Sequence, residues 1–295
     1  MRLAYFLFAV SCVVQAQTTA PLPSSLPTSG TLTQEQIQQL IRAVADKDIE
    51  NDKKLTNYTY VEHGVEQRLD GKKQVKSIES KTYDVLEISG EQVRRLVAKD
   101  DKPLNAKDAA KEEEKIQKII DKEKNASEDE RRKRQERQDK EIEEGHQFEK
   151  EVADAYNFTL NGIEKYEGRD TYVIDATPRP GFQPHVKDAN LLPKFKFRAW
   201  IDKDEMQWSK LDIEAIDTVS FGLFLARIHK GTRIVIEQTR VNEEVWLPKH
   251  VELNVDARIA LLKEFAENFD FKYSDYKKFR TGVKILPLAQ TPSQP

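Results

Sequence analysis

The stretch Phe195-Lys196-Phe197-Arg198-Ala199-Trp200-Ile201-Asp202 sets the reading of the whole chain. Phe195, Phe197, Ala199 and Ile201 fall on one side of an extended backbone; Lys196, Arg198 and Asp202 fall on the other. A period of two is what a strand with one buried face requires. The period recurs downstream. Leu211, Ile213 and Ala215 alternate with Asp212 and Glu214, Ile234 and Ile236 with Arg233 and Glu237, and Val251, Leu253 and Val255 with Glu252, Asn254 and Asp256. Four strands are predicted, over 195–202, 207–216, 232–241 and 244–257. The polar links Lys203-Asp204-Glu205-Met206 and Asn242-Glu243 are short enough for hairpins. One apolar face and one wet face indicate an antiparallel sheet.

Working outward, strands are expected over 55–66, 74–88, 92–98, 156–166 and 171–177, with turns at Leu69-Asp70-Gly71-Lys72, Ser89-Gly90 and Glu167-Gly168-Arg169-Asp170. Tyr58 and Tyr60 share one face of the first, and Val75, Tyr83 and Val85 are in phase on the second. Thr33 with Gln36 forms a capping box, and Ile37, Leu40, Ile41 and Val44 make one apolar stripe, so a helix runs to about Lys53. From Ala106 to about Glu151 most residues are Lys, Arg, Glu or Asp. That segment reads as helix, broken near Asn125-Ala126 and restarted by Ser127 with Glu130. Acid-first pairs such as Glu114–Lys118, Glu130–Arg134 and Glu136–Lys140 each add about 0.2–0.5 kcal/mol to an isolated helix.

The expected fold class is therefore α+β: a strongly curved antiparallel sheet of about ten strands, an open or incomplete β-barrel, covered by helices and carrying a long charged helical insertion at 105–151. One domain over 33–280 accounts for it, with a Thr/Ser/Pro-rich tether before (17–32) and a Pro-containing tail after (281–295).

Charged residues make up 34% of the chain, apolar ones 38%, and the net charge is −3. A general nucleic-acid binder needs a basic excess, so nucleic acid is not an expected partner. Arg131-Arg132-Lys133-Arg134 is flanked by acids at helical spacing and reads as compensated. The one cysteine, Cys12, excludes disulfides. Met1-Arg2, the apolar run from Leu3 to Val14 and the small residue Ala16 form a secretory signal cleaved near Ala16, which sends the chain to the periplasm. Ala9-Val10-Ser11-Cys12 is a loose lipobox, so lipidation and membrane anchoring at Cys12 is the alternative. No other apolar run approaches about 18 residues, so any membrane contact is peripheral or transient.

The hairpin from Asn161-Gly162-Ile163 to Gly168-Arg169-Asp170-Thr171-Tyr172-Val173-Ile174 resembles that of the LolA/LolB-like lipoprotein-sorting family. So do Ala199-Trp200-Ile201-Asp202 and Val245-Trp246-Leu247-Pro248. The resemblance spans roughly Thr33 to Phe279 and implies an incomplete antiparallel barrel with helices over its mouth. It also implies a periplasmic, non-enzymatic carrier of lipid or lipoprotein acyl chains. The charged insertion is longer and more polar than the usual lid, and no residue here matches the family's lid-locking arginine.

An open barrel must fill its apolar inside with side chains, a helix or a ligand. Candidate lining residues are Tyr58, Tyr60, Tyr83, Val85, Phe195, Phe197, Leu211, Ile213, Ile234, Ile236, Leu253 and Val255, either as a ligand cavity or as ordinary core under the first helix. Lid or gate candidates are Ile116, Ile119 and Ile120 in the insertion, and Phe221, Phe224 and Ile228 in a segment over 219–228 read as an apolar loop or short helix. The alternative function is an envelope scaffold that docks a protein partner through the helix over 106–150 and has a filled core. No nucleotide, metalloprotease or nucleophile-elbow motif occurs, so no catalytic residue and no cofactor is expected. His63, His146, His185, His229 and His250 lack ligand spacing along the chain, and no metal role is assigned to them.

Overall fold

The structure is a computed structural model, described here for residues 32–55, 57–221, 226–259 and 263–278. Helix α1 (Gln34–Leu55) leads into β1 (Tyr58–Leu69), β2 (Val75–Ile88), β3 (Glu91–Lys99) and the two-residue β4 (Lys102–Pro103). Helices α2 (Ala106–Asn125) and α3 (Glu128–Ala155) form the charged insertion. Then come β5 (Tyr156–Tyr166), β6 (Arg169–Pro178), a 3-10 helix (Lys187–Lys194), β7 (Phe195–Asp202) and β8 (Trp208–Ala215). The chain continues through β9 (Val219–Phe221), β10 (Ala226–Ile228), β11 (Arg233–Val241), β12 (Val245–Ile259) and β13 (Lys263–Lys278).

These strands make one antiparallel, curved and unclosed sheet of thirteen strands. The order is β4-β3-β2-β1-β13-β12-β11-β8-β7-β6-β5, with β9 and β10 as a small flap on β12. Most neighbours are consecutive in the chain. Three pairings are not: β8 with β11, β10 with β12 and, joining the two halves, β1 with β13, from Tyr58↔Lys278 to Arg68↔Glu267. The count exceeds the ten expected from sequence. The stretch over 219–228, expected as a loop or short helix, instead holds two three-residue strands, and Ile228 pairs with Ala257. Phe224 lies outside the described residues. Strand-like character after Ala257 resolves into the end of β12 and a separate β13.

Local chemistry explains the joints. Ser89-Gly90 and Glu167-Gly168 each place two successive residues at positive φ (55° and 86°; 49° and 83°). That is the two-residue hairpin turn whose twist matches the strands. The insertion is capped as its sequence requires. Asn105 accepts from the Asp108 N–H at 3.0 Å, and Ser127 and Glu130 close a reciprocal capping box.

Candidate functional site

Register places every lining candidate on one face of the sheet, called inner here. Directly paired residues of antiparallel strands project to the same side. The inner rows run Phe197↔Ile213↔Ile234↔Leu253↔Phe269 and Ala199↔Leu211↔Ile236↔Val251↔Phe271↔Gly64. Tyr60↔Val85 continues the same face beyond β1, and Phe195 and Val255 lie one step outward on it.

Cover is uneven along that face. Over β5 to β8 it is filled: Ile37, Leu40, Ile41 and Val44 of α1, Ala153 and Ala155 of α3, and Ala189 and Leu192 of the 3-10 helix pack on Tyr156, Phe158, Tyr172, Ile174 and Ala199. Phe197 and Leu211 border this core. The Tyr156 hydroxyl donates to the Leu192 carbonyl at 2.7 Å, and the Glu151 carboxylate accepts from the His185 and Val186 N–H groups at 2.7 and 2.8 Å. A second cluster, Tyr60, Val85, Ile236, Val251 and Tyr273 with Ile234 at its border, is also buried, and Tyr58 belongs to a third with Val245 and Leu247. Tyr58, Tyr60, Val85 and Ile236 are therefore core side chains.

Beyond these clusters the face is only partly covered. Phe195, Ile213, Leu253, Val255 and Tyr83 are half-buried and belong to none of the three clusters. Phe265 and Phe269 extend the same strip and were missed from sequence, because β13 was not separated from β12. The Phe269 and Phe271 rings stack with centroids 6.0 Å apart. Beside them a cleft of about 120 Å³ opens at Gly64, lined also by Lys81, Tyr83 and Arg94. The Arg94 guanidinium lies 4.2 Å from the Tyr83 ring centroid and pairs with Glu62, whose carboxyl is raised by burial despite Arg94. Burial also raises the hydroxyls of Tyr60, Tyr273 and Tyr276, which meet edge to face or tilted at centroid distances of 5.2 and 5.9 Å. The strip thus has an apolar length and one polar end.

The gate candidates sit elsewhere. Ile116 is buried in α2, which packs on β3, and Ile119 and Ile120 are half-buried beside it. Glu112 accepts from the Leu96 N–H at 3.2 Å, Lys115 donates to the Arg94 carbonyl at 3.4 Å, and Arg95 bonds Glu113 at 2.8 Å. Three turns into α3, Gln138 bonds Glu91 at 3.2 Å, and the helix's last residue, Ala155, runs straight into β5. The insertion therefore spans from one margin of the open sheet to the other. Ile228 is buried in β10, and Phe221 ends β9.

Where α1 and α3 meet above the inner face, three acids converge. Burial, then their mutual repulsion, raises Asp52 and Glu149 well above the usual carboxylate range. Burial also raises Asp48, against hydrogen bonds from Trp208 and Gln207. On the outer face a polar cleft of about 180 Å³ is lined by Tyr166, Arg169, Thr171, Asp202, Arg240 and Trp246 among others. Asp202 is fully buried there and takes two hydrogen bonds from Arg169. No described helix is long and apolar enough to cross a membrane.

No protein-family model matches the chain, and no curated protein does. Solved structures similar to it include a putative outer membrane lipoprotein-sorting protein domain from Vibrio parahaemolyticus. That match has 10% identity, covers 83% of this chain and 95% of that one, and has a TM-score of 0.35. A DUF1329 family protein from Desulfovibrio piger is similar at 11% identity, 83% and 95% coverage and a TM-score of 0.30. A LolA superfamily protein from Nitrosomonas europaea is similar at 10% identity, 87% and 96% coverage and a TM-score of 0.28. At such scores no residue correspondence carries over, and the open-sheet fold rests on the chain's own strand pairing.

Proposed function

We propose that the protein is an exported, non-enzymatic binding protein that carries or senses the acyl chains of lipids or lipoproteins. One observation supports this above the others: the strip of partly buried apolar side chains Phe195, Ile213, Leu253, Val255, Phe265 and Phe269, which lies outside the three buried clusters. A contiguous apolar strip left partly open to solvent is a candidate binding site. From β7 through β8, β11, β12 and β13 to β1 there are five strand steps, about 24 Å at the usual spacing. That length suits an extended acyl chain. Each methylene taken from water contributes about 0.8 kcal/mol, so the chain binds without a specific polar partner. The cleft at Gly64, about 120 Å³, is too small to swallow a whole acyl chain. The chain then lies along the strip, with its head group towards the Arg94 and Glu62 end.

The test is native mass spectrometry of protein purified from cells, together with titration of a fluorescent fatty acid. Co-purified lipid, or saturable uptake that Leu253→Asp and Ile213→Asp abolish while the circular dichroism spectrum stays unchanged, is the expected result. Absence of both lipid and uptake in the unaltered protein rejects the carrier.

A further inference from the structure

On the outer face, directly behind the strip, His250, Glu252 and Asp270 bring one nitrogen and two carboxylate oxygens within 4.8 Å of one another. We propose that these three side chains form a binding site for a divalent transition-metal ion of the zinc type. The sheet builds the arrangement. His250 and Glu252 are two residues apart on β12 and so share a face, and Asp270 on β13 is the register partner of Glu252. His250 Nε2 stands 2.8 Å from Asp270 Oδ2 and 3.7 Å from Glu252 Oε1. A tetrahedral ion about 2.1 Å from each ligand needs them about 3.4 Å apart, so these two contacts change by well under 1 Å. Lys272 approaches the other oxygen, Asp270 Oδ1, at 3.7 Å, which leaves Oδ2 turned towards the imidazole.

The second nitrogen of the ring points to the same reading. His250 Nδ1 faces Glu237 Oε2 at 3.6 Å. Glu237 is itself held by Lys210 at 2.8 Å and by the Tyr166 hydroxyl, and only 17% of its side chain is exposed. Glu237 thus stands within reach of Nδ1 as an outer carboxylate, the kind of partner found behind most metal-bound histidines, when a metal takes Nε2 in place of its 2.8 Å contact with Asp270. An imidazole in the ligand set favours zinc over calcium or magnesium, which take oxygen alone. With three protein ligands, one tetrahedral position remains for water or a partner's side chain. Val251, between the two β12 ligands, projects to the inner face, so a bound ion would clamp β12 to β13 beneath the trough.

The experiment is titration of the metal-free full chain with zinc chloride by calorimetry, paired with cobalt(II) absorption. One equivalent of zinc should bind, raise the melting temperature, and give way to a tetrahedral cobalt spectrum when cobalt replaces it. His250→Asn and Asp270→Asn should abolish binding, and Glu237→Gln should weaken it by about tenfold or more. His63→Asn, a register neighbour of Lys272 in the same outer row, should leave it unchanged. Glu252→Gln removes a half-exposed ligand with no packing role, so it remains informative if His250→Asn does not fold. No zinc binding, or binding that survives Glu252→Gln and Asp270→Asn together, overturns the proposal.

Discussion

The Phe271 ring occupies the space beside Gly64, its register partner across β1 and β13. A Cβ at Gly64 would sit 2.9 Å from two ring carbons. Gly64→Ala should therefore push Phe271 out of the buried Tyr60–Tyr273 cluster and cost about 1–3 kcal/mol, as overpacking does. Denaturant melts measure this. The double variant Gly64→Ala/Phe271→Leu should recover part of the loss, because the two positions share one space. Purely additive effects would show that the ring does not depend on the glycine.

Asn51 mimics a strand. Its Nδ2 donates to the Trp246 carbonyl and its Oδ1 accepts from the Trp246 N–H, both at 2.7 Å. The side-chain amide thereby ties α1 to β12 where the backbone would otherwise be orphaned. Asn51→Ala should cost about 2–3 kcal/mol, since two bonds vanish and two buried backbone groups lose their partners. A loss under about 1 kcal/mol in chemical unfolding would mean that water replaces the amide.

The acids between α1 and α3 make stability depend on pH. Asp52 and Glu149 keep their protons in the fold at a pH where the unfolded chain has released them, mainly because they are buried. The unfolded state then binds fewer protons, and stability falls as pH rises. The fall should run from about pH 4, the unfolded value, to about pH 9, the value reached by Asp52. Asp52→Asn should flatten the slope and raise the melting temperature most at the alkaline end. A profile in Asp52→Asn that parallels the unaltered protein would rule this out.

Asn242 and Glu243 both adopt positive φ, at 51° and 57°, in the turn between β11 and β12. A non-glycine residue there carries about 1 kcal/mol of steric cost. Glu243→Gly should stabilise the protein by a few tenths to about 1 kcal/mol, net of the extra freedom glycine gives the unfolded chain. A lower denaturation midpoint would indicate that the Glu243 side chain contributes more than its backbone strain removes.

Much of this was legible in the sequence, for definable reasons. Alternation around Phe197, Leu211, Ile234 and Leu253 fixes which residues share a face, because parity survives any packing. Asn105 and Ser127 mark the insertion's helices through local capping, which needs no tertiary context. Three features were not readable. Three-residue strands such as 219–221 hold too few alternations to reveal a period. Whether Tyr60 is core and Phe195 open depends on where α1 and α3 come to rest, and no local pattern encodes that. The His250–Asp270 approach joins residues twenty apart through pairing of β12 with β13, so spacing along the chain conceals it.

The rims of the sheet matter as much as its hollow. At one rim, Glu112 and Lys115 occupy the free amide and carbonyl of β3, and the last strand beside it is merely Lys102-Pro103. At the other, Gln34 occupies the Phe158 amide at 3.1 Å. A bare rim would recruit the rim of another copy and grow into a fibre. Blunted margins let the molecule keep an apolar trough partly open while denying neighbours the backbone template on which polymerisation depends.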